Sequence, residues 1–469
     1  VTDRATRATR TTTRVALAAF AVACALVSTA CVKLPGVGGG PTTPTEPARQ
    51  LWRSDGYGMI WALDGDRLTG YQTTSISCIR SDTMTRVGSV DGAQSFGEDG
   101  AVDVTLRIGG DGRAVYHEVG TVSDVDLLPV ASMPATCDEK PDRGPETTFE
   151  VFWQTVEENY NSLDRRHADW AAMRERYRAE IDEDTENKEL FGILRSMLEP
   201  LGDMHTGLTG SGDREFEGKR AGTVEIDANT TNRATDAVLN ARGATGAMAF
   251  GNGRLVYADL PGGRGYLRIG AFERLKKSDQ WAANEAEVKR MLDTVFTPAR
   301  VAGLTMLVID VRNNPGGQDA LGIEIAGRLT DRPYLAYTKA ARNDPADPSK
   351  HARPQQVQVT PSAGARYTGP IRMLTGPLTI SAGETFTLAM MGRTPAPERF
   401  GENTQGVYSD TLDRKLPNGW TVTLGNEDFT APDGRSYEGP GIPPTRPMPV
   451  YPPAELAANQ DSVLAAALN

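Results

Sequence analysis

Cysteine and histidine are both scarce in this chain of 469 residues, with four of each. Cys24 and Cys31 fall in the first 31 residues, so only Cys78 and Cys137 remain beyond them. Two cysteines cannot build a disulfide framework, and their spacing matches no zinc pattern. No metal and no organic cofactor is implied. A basic stripe is missing as well: 50 Lys and Arg stand against 61 Asp and Glu, for a formal net charge of −11. Phosphate contacts need clustered cations, which argues against a nucleic-acid partner. No internal repeat is evident. Hydrophobic content of 39% and charged content of 24% are ordinary for a globular chain, and the length predicts roughly two to four domains.

The apolar run 15–27 is too short for a comfortable membrane span. Arg4, Arg7, Arg10 and Arg14 precede it and Ser28, Thr29 and Ala30 follow, the layout of a secretory signal over residues 1–30. Cys31, directly after small residues, resembles the lipidated cysteine of bacterial lipoprotein signals, although Ser28 stands where an aliphatic residue is usual. That resemblance implies a lipid anchor on Cys31, with residues 31–50 as a Gly/Pro/Thr tether. The expected location is the cell envelope, anchored to a membrane surface. Cleavage after Ala30 without a lipid, giving a soluble secreted protein, is the alternative. In such an oxidising compartment Cys78 and Cys137 have one bridge open to them, against the alternative of two free thiols.

Residues 51–138 alternate in short runs between Gly and Asp turns, which predicts a small N-terminal β domain. Over 144–210 the period becomes helical. Phe149, Phe152, Val156 and Tyr160, then Trp170, Met173, Tyr177 and Ile181, fall mostly three and four apart, as in a helical bundle. Residues 211–263 read as a β-like connector. From 264 to 456 strand and helix patterns alternate, including the apolar run 305–310 typical of a buried parallel strand, so stacked βα units form the core. Residues 457–469 read as a C-terminal tail. The fold class is α+β.

Two segments of the core carry chemistry. The run 308–317 ends a buried strand in Asn-Asn-Pro-Gly-Gly, and Gly316 and Gly317 can turn backbone N–H groups toward a bound atom. A plain strand-to-helix turn is the bland reading. At 374–384 another strand ends and Ser381 opens a helix, its hydroxyl beside the positive end of the dipole. Ser381 and Glu384 also spell a capping box, which needs no chemistry at all.

Together, in this order, the two segments resemble the tail-specific (C-terminal processing) serine peptidase family, which includes the tricorn core and the interphotoreceptor retinoid-binding protein modules. The resemblance runs over about 144–453 and implies a crotonase-like (ClpP-type) core, with hydrolysis of peptide or protein substrates through an acyl-serine intermediate. Ser381 matches the nucleophile; the N–H groups of Ala382 and of Gly317, or of Gly316 if the register shifts by one, match the oxyanion donors. The processing branch keeps a lysine base where this chain has Asn403. The tricorn-like branch instead uses a histidine after the bundle and a late glutamate, matched by His205 and Glu438; Met204 stands where tricorn has a further serine. Glu384 and Glu402 compete with Glu438 for the orienting role. His117 in a strand-like run, His167 beside Arg165 and Arg166 on a solvated helix face, and His351 in a polar loop are poor bases. The connector 211–263 is too short for the PDZ domain usual in the family. The rival reading is an inactive ligand-binding module on the same scaffold.

Overall fold

The computed structural model describes residues 49–98, 100–139 and 141–469. The expected signal, most of the tether and Cys31 lie outside the described residues. Among these residues, no helix is long and apolar enough to cross a membrane. The fold is α+β.

The N-terminal β domain is an eight-stranded antiparallel barrel, closed where its first strand, Gln50–Ser54, pairs with its last, Val125–Pro129. Closure leaves no unpaired strand edge. Trp52, Leu68, Phe96, Leu106 and Leu127 fill its core. A disulfide joins Cys78, which opens the fourth strand, to Cys137 in the turn that follows the barrel. It closes 59 residues of chain, a loop whose cross-linking removes about 4 kcal/mol of unfolded-state entropy in the chain model.

Three helices follow, Pro145–Asn159, Trp170–Arg178 and Asn187–Leu198. Their apolar faces meet Leu208, Val422 and Leu424 of a four-stranded sheet and Trp420 just before one of its strands, Thr421–Gly425. The central sheet has seven strands. Five of them run parallel: Arg264–Ile269, Met306–Asp310, Ile371–Thr375, Glu398–Gly401 and Arg446–Pro447. Met306–Asp310 is covered on both faces, with Leu307 and Ile309 in one core and Val308 in the other, which is why it reads as a continuous apolar run.

Two expected boundaries are corrected. The segment 211–263 holds a 14-residue helix, Ala228–Ala241, capped by the Asp227 carboxylate on the Thr230 amide. Its next two strands, Thr245–Phe250 and Leu255–Leu260, extend the central sheet in antiparallel fashion, so the core begins before residue 264. Residues 457–469 are no loose tail either. Helix Ser462–Ala467 packs Val463, Leu464 and Leu468 against Tyr266, Val308 and Leu374 of the sheet. The fully buried Arg312 guanidinium lies 2.7 Å from Asp310 and 2.7 Å from Asp461, which fastens this last helix to the strand that leads to the glycine turn. Removing one partner of a buried ion network leaves a charge without compensation. Asp461→Ala should therefore cost about 3–5 kcal/mol, read as a lower urea midpoint at unchanged slope.

Candidate active site

Ser381 stands between Ile371–Thr375 and the helix Ala382–Met391, at φ 53° and ψ −122°. A non-glycine residue at positive φ costs on the order of 1–3 kcal/mol and persists only when its surroundings fix it. Here they do: the Ser381 amide donates to Val407 O (3.1 Å), and its carbonyl accepts from the Glu384 and Thr385 amides. The side chain makes no capping hydrogen bond, so the capping-box reading fails on both members. A strained strand-to-helix turn of this kind lifts a serine hydroxyl clear of the backbone, here without a Gly-x-Ser-x-Gly pattern.

The glycine turn lies against it. Gly316 and Gly317 have φ of +106° and +123°; a Cβ on Gly316 would sit 2.6 Å from Ser381 Cβ and 3.1 Å from both Ser381 Oγ and the Ala382 nitrogen. Asn314 fixes the turn. Its Nδ2 donates to Ile269 O, its carbonyl accepts from the Ile380 amide, and its Oδ1 accepts the Gly316 amide at 2.8 Å. The Gly316 N–H is thus engaged. Those of Gly317 and Ala382 have no protein acceptor among the described residues.

His205 lies in the tight turn after the third helix, where its amide donates to Asp203 Oδ1 (2.7 Å). The imidazole is buried and Nδ1 has no hydrogen-bond partner among the described residues. Burial pulls its pKa below the ordinary value, against the carboxylates of Asp203 and Asp410 and with the help of Arg166; the Ser409 carbonyl faces the ring. Ser381 and His205 share no hydrogen bond, yet one loop serves both: Val407 O takes the Ser381 amide, and Ser409 and Asp410 border the imidazole. Glu438 makes no hydrogen bond to His205. Its carboxylate accepts from Arg166 Nη2 (3.2 Å) and from the Tyr408 amide (3.1 Å), and burial followed by the nearby Asp203 raises its pKa far above the usual range. Glu402 is turned away too, accepting from the Val450 amide.

Residues 263–448 match Peptidase family S41, and residues 141–199 match the Tricorn protease C1 domain. Over residues 263–448 this chain carries the S41 peptidase core. Among solved structures, a candidate peptidase from Parabacteroides merdae ATCC 43184 is similar at 25% identity and TM-score 0.59, over 70% of this chain and 96% of that one. Mature CPAF complexed with lactacystin follows at 11% identity and TM-score 0.49, over 67% and 96%. The photosystem II D1 C-terminal processing protease has 16% identity and TM-score 0.40, over 65% and 93%. No curated protein sequence matches the chain.

This S41 core departs from the lysine-bearing branch at Asn403, which is exposed and donates to Pro440 O. Lys415 ends a hairpin strand and pairs with Asp82 at 3.0 Å. Several residues that shape the site have no signal in the sequence. Arg166, expected on a solvated face, is buried and bridges Asp203, Glu438, Gly202 O and Gly406 O. Glu384 turns both carboxylate oxygens to the amides of Gly406 (2.7 Å) and Val407 (2.8 Å), and burial pushes its pKa up to about 7. Asp410 takes Lys339 Nζ at 2.7 Å and gives its amide to Glu427. Glu384 and Gly406 lie 22 residues apart, so only the folded chain pairs them. Glu384→Ala strands two buried amides, each costing about 1–3 kcal/mol. The variant should lose stability by thermal unfolding and show faster hydrogen exchange at 406–407 before any change in the barrel.

Proposed function

We propose that this chain is an exported serine endopeptidase in which Ser381 is the nucleophile and His205 the general base. The observation that carries this reading is the strained serine turn beside two unengaged amides, those of Ala382 and Gly317. Ser381 Oγ attacks the peptide carbonyl as its proton passes to the imidazole. The developing oxyanion is met by the two N–H groups, fixed before charge appears. The imidazolium then protonates the leaving amine, and water, deprotonated by the same ring, releases the acyl group. Neutral His205 is the competent form, and its burial favours that form. Catalytic hydrogen bonds often tighten only with substrate bound, and the 406–410 loop is the connection through which this pair would be brought together. Glu438 acts as a positioning residue, holding Arg166 and the Tyr408 amide rather than the imidazole itself.

Ser381→Ala should abolish both fluorophosphonate labelling and peptide turnover, a loss on the order of 10⁶ in turnover for a nucleophile of this type. Labelling of the wild type should rise with pH through one acid limb whose midpoint lies below about 6.5, the ordinary histidine value, and His205→Gln should remove it. A wild-type protein that is folded yet unlabelled at any pH would instead favour the ligand-binding alternative.

Export and anchoring rest on the first 31 residues. Cys31 is proposed to carry the lipid, making the acyl chain the membrane attachment. Cys31→Ser should move the exported protein from the membrane pellet to the soluble fraction; wild-type protein already soluble after export would point to cleavage after Ala30.

A further inference from the structure

The barrel does not stand apart from the serine turn. It is docked through Tyr57 Oη on Glu427 (2.6 Å), Gln72 on Asp413 O and the Lys415 amide, and the Asp124 amide on Gln355. Its loop at Gly120 packs directly on Trp281 and on Gln318, the residue after the glycine turn. Between barrel and core lies a cleft of about 480 Å³, bordered by Ser381 and Gly317 on one side and by Trp61, Tyr116 and Glu118 of the barrel on the other. A volume of this order holds a few side chains of an extended peptide.

The lining is chemically one-sided. It includes six carboxylates and no Lys, Arg or His. Lys339 beneath the cleft offsets Asp410 and Glu427, and Lys415 offsets Asp82. Glu118 has no ion pair or hydrogen bond on its carboxylate among the described residues. Asp319, the first residue of the helix after the glycine turn, is 7% exposed; Thr385 Oγ donates to Oδ1, while Oδ2 has no hydrogen-bond partner among the described residues. A buried acceptor without a donor, at the edge of a cleft, leaves a place for a donor that the protein does not supply. Trp61, largely buried in the barrel core, and Tyr116 also line the cleft and stack with ring centroids 4.6 Å apart, an aromatic edge suited to the aliphatic stem and charged head of a long cation.

Resting on the peptidase reading, we propose that the barrel is the specificity wall of the site and that the cleft selects peptides with a Lys or Arg side chain near the scissile bond, held by Glu118 and Asp319 against the Trp61–Tyr116 pair. Low-dielectric walls of one charge sign focus the field on such a side chain and disfavour acidic ones.

The test uses the whole chain and matched fluorescent peptides that differ only in Lys, Ala or Glu at each position around one bond. Binding is measured to the Ser381→Ala variant and turnover with the wild type. The Lys peptide should bind at least about 10-fold more tightly than the Glu peptide in low salt, with the ratio shrinking at 0.5 M salt, where the Debye length is only about 4 Å. Glu118→Gln should lower that ratio severalfold and Glu118→Lys should reverse it. Equal binding of Lys and Glu peptides, or a ratio unmoved by both substitutions, overturns the proposal. The two readings fail separately: probe labelling without charge preference removes only the specificity wall, and charge-selective binding without labelling removes only the peptidase.

Discussion

Loop 406–410 is the part of the molecule on which the candidate site depends, and buried carboxylates hold it. Glu384 takes the Gly406 and Val407 amides, Glu438 takes that of Tyr408, and Glu427 takes that of Asp410. Each acceptor comes from a different part of the chain, so the loop is tied to several of them at once. Burying charge is costly unless it is paired, and Arg166 pairs with Glu438 and Lys339 with Glu427, while Arg220 holds the Thr404 and Gln405 carbonyls just before the loop. A buried network in which four loop amides meet carboxylates strongly favours one arrangement of that backbone. Through it the Ser381 amide and the His205 ring are tied to one segment of backbone.

Steric exclusion completes what the network begins. Gly316 and Gly317 approach Ser381 and Phe272 so closely that a Cβ at either would overlap them, at 2.6 Å and 2.4 Å. The positive φ of both glycines and the Asn314 side chain aim the turn. Strain at Ser381 is thus maintained by backbone hydrogen bonds on one side and by close-packed backbone on the other.

The barrel and the C-terminal helix have complementary mechanical roles. The barrel is a closed unit pinned by its own disulfide, and it forms one wall of the cleft beside Ser381. The last helix covers the opposite region of the central sheet and reaches Arg312, four residues before Gly316, through Asp461. The glycine turn is therefore held from the sheet below it as well as from the loop above it.

Much of this was legible in the residues. The 305–310 run announced a buried parallel strand because a strand covered on both faces has no polar side to show. The Asn-Asn-Pro-Gly-Gly turn and the serine helix were visible because positive φ and helix starts restrict residue type locally. The helix Ala228–Ala241 was missed, since its Thr and Asn content masks a period carried by Thr231, Ala234, Thr235 and Leu239. Sequence could not tell whether Glu384 capped its own helix or reached to residue 406, nor that Arg166 pointed inward while Arg165 met Asp428 near the surface. Those choices belong to tertiary structure because they turn on partners far apart in the chain. Residue type determined which atoms could bond; only the packed sheet, barrel and loop decided which of them met.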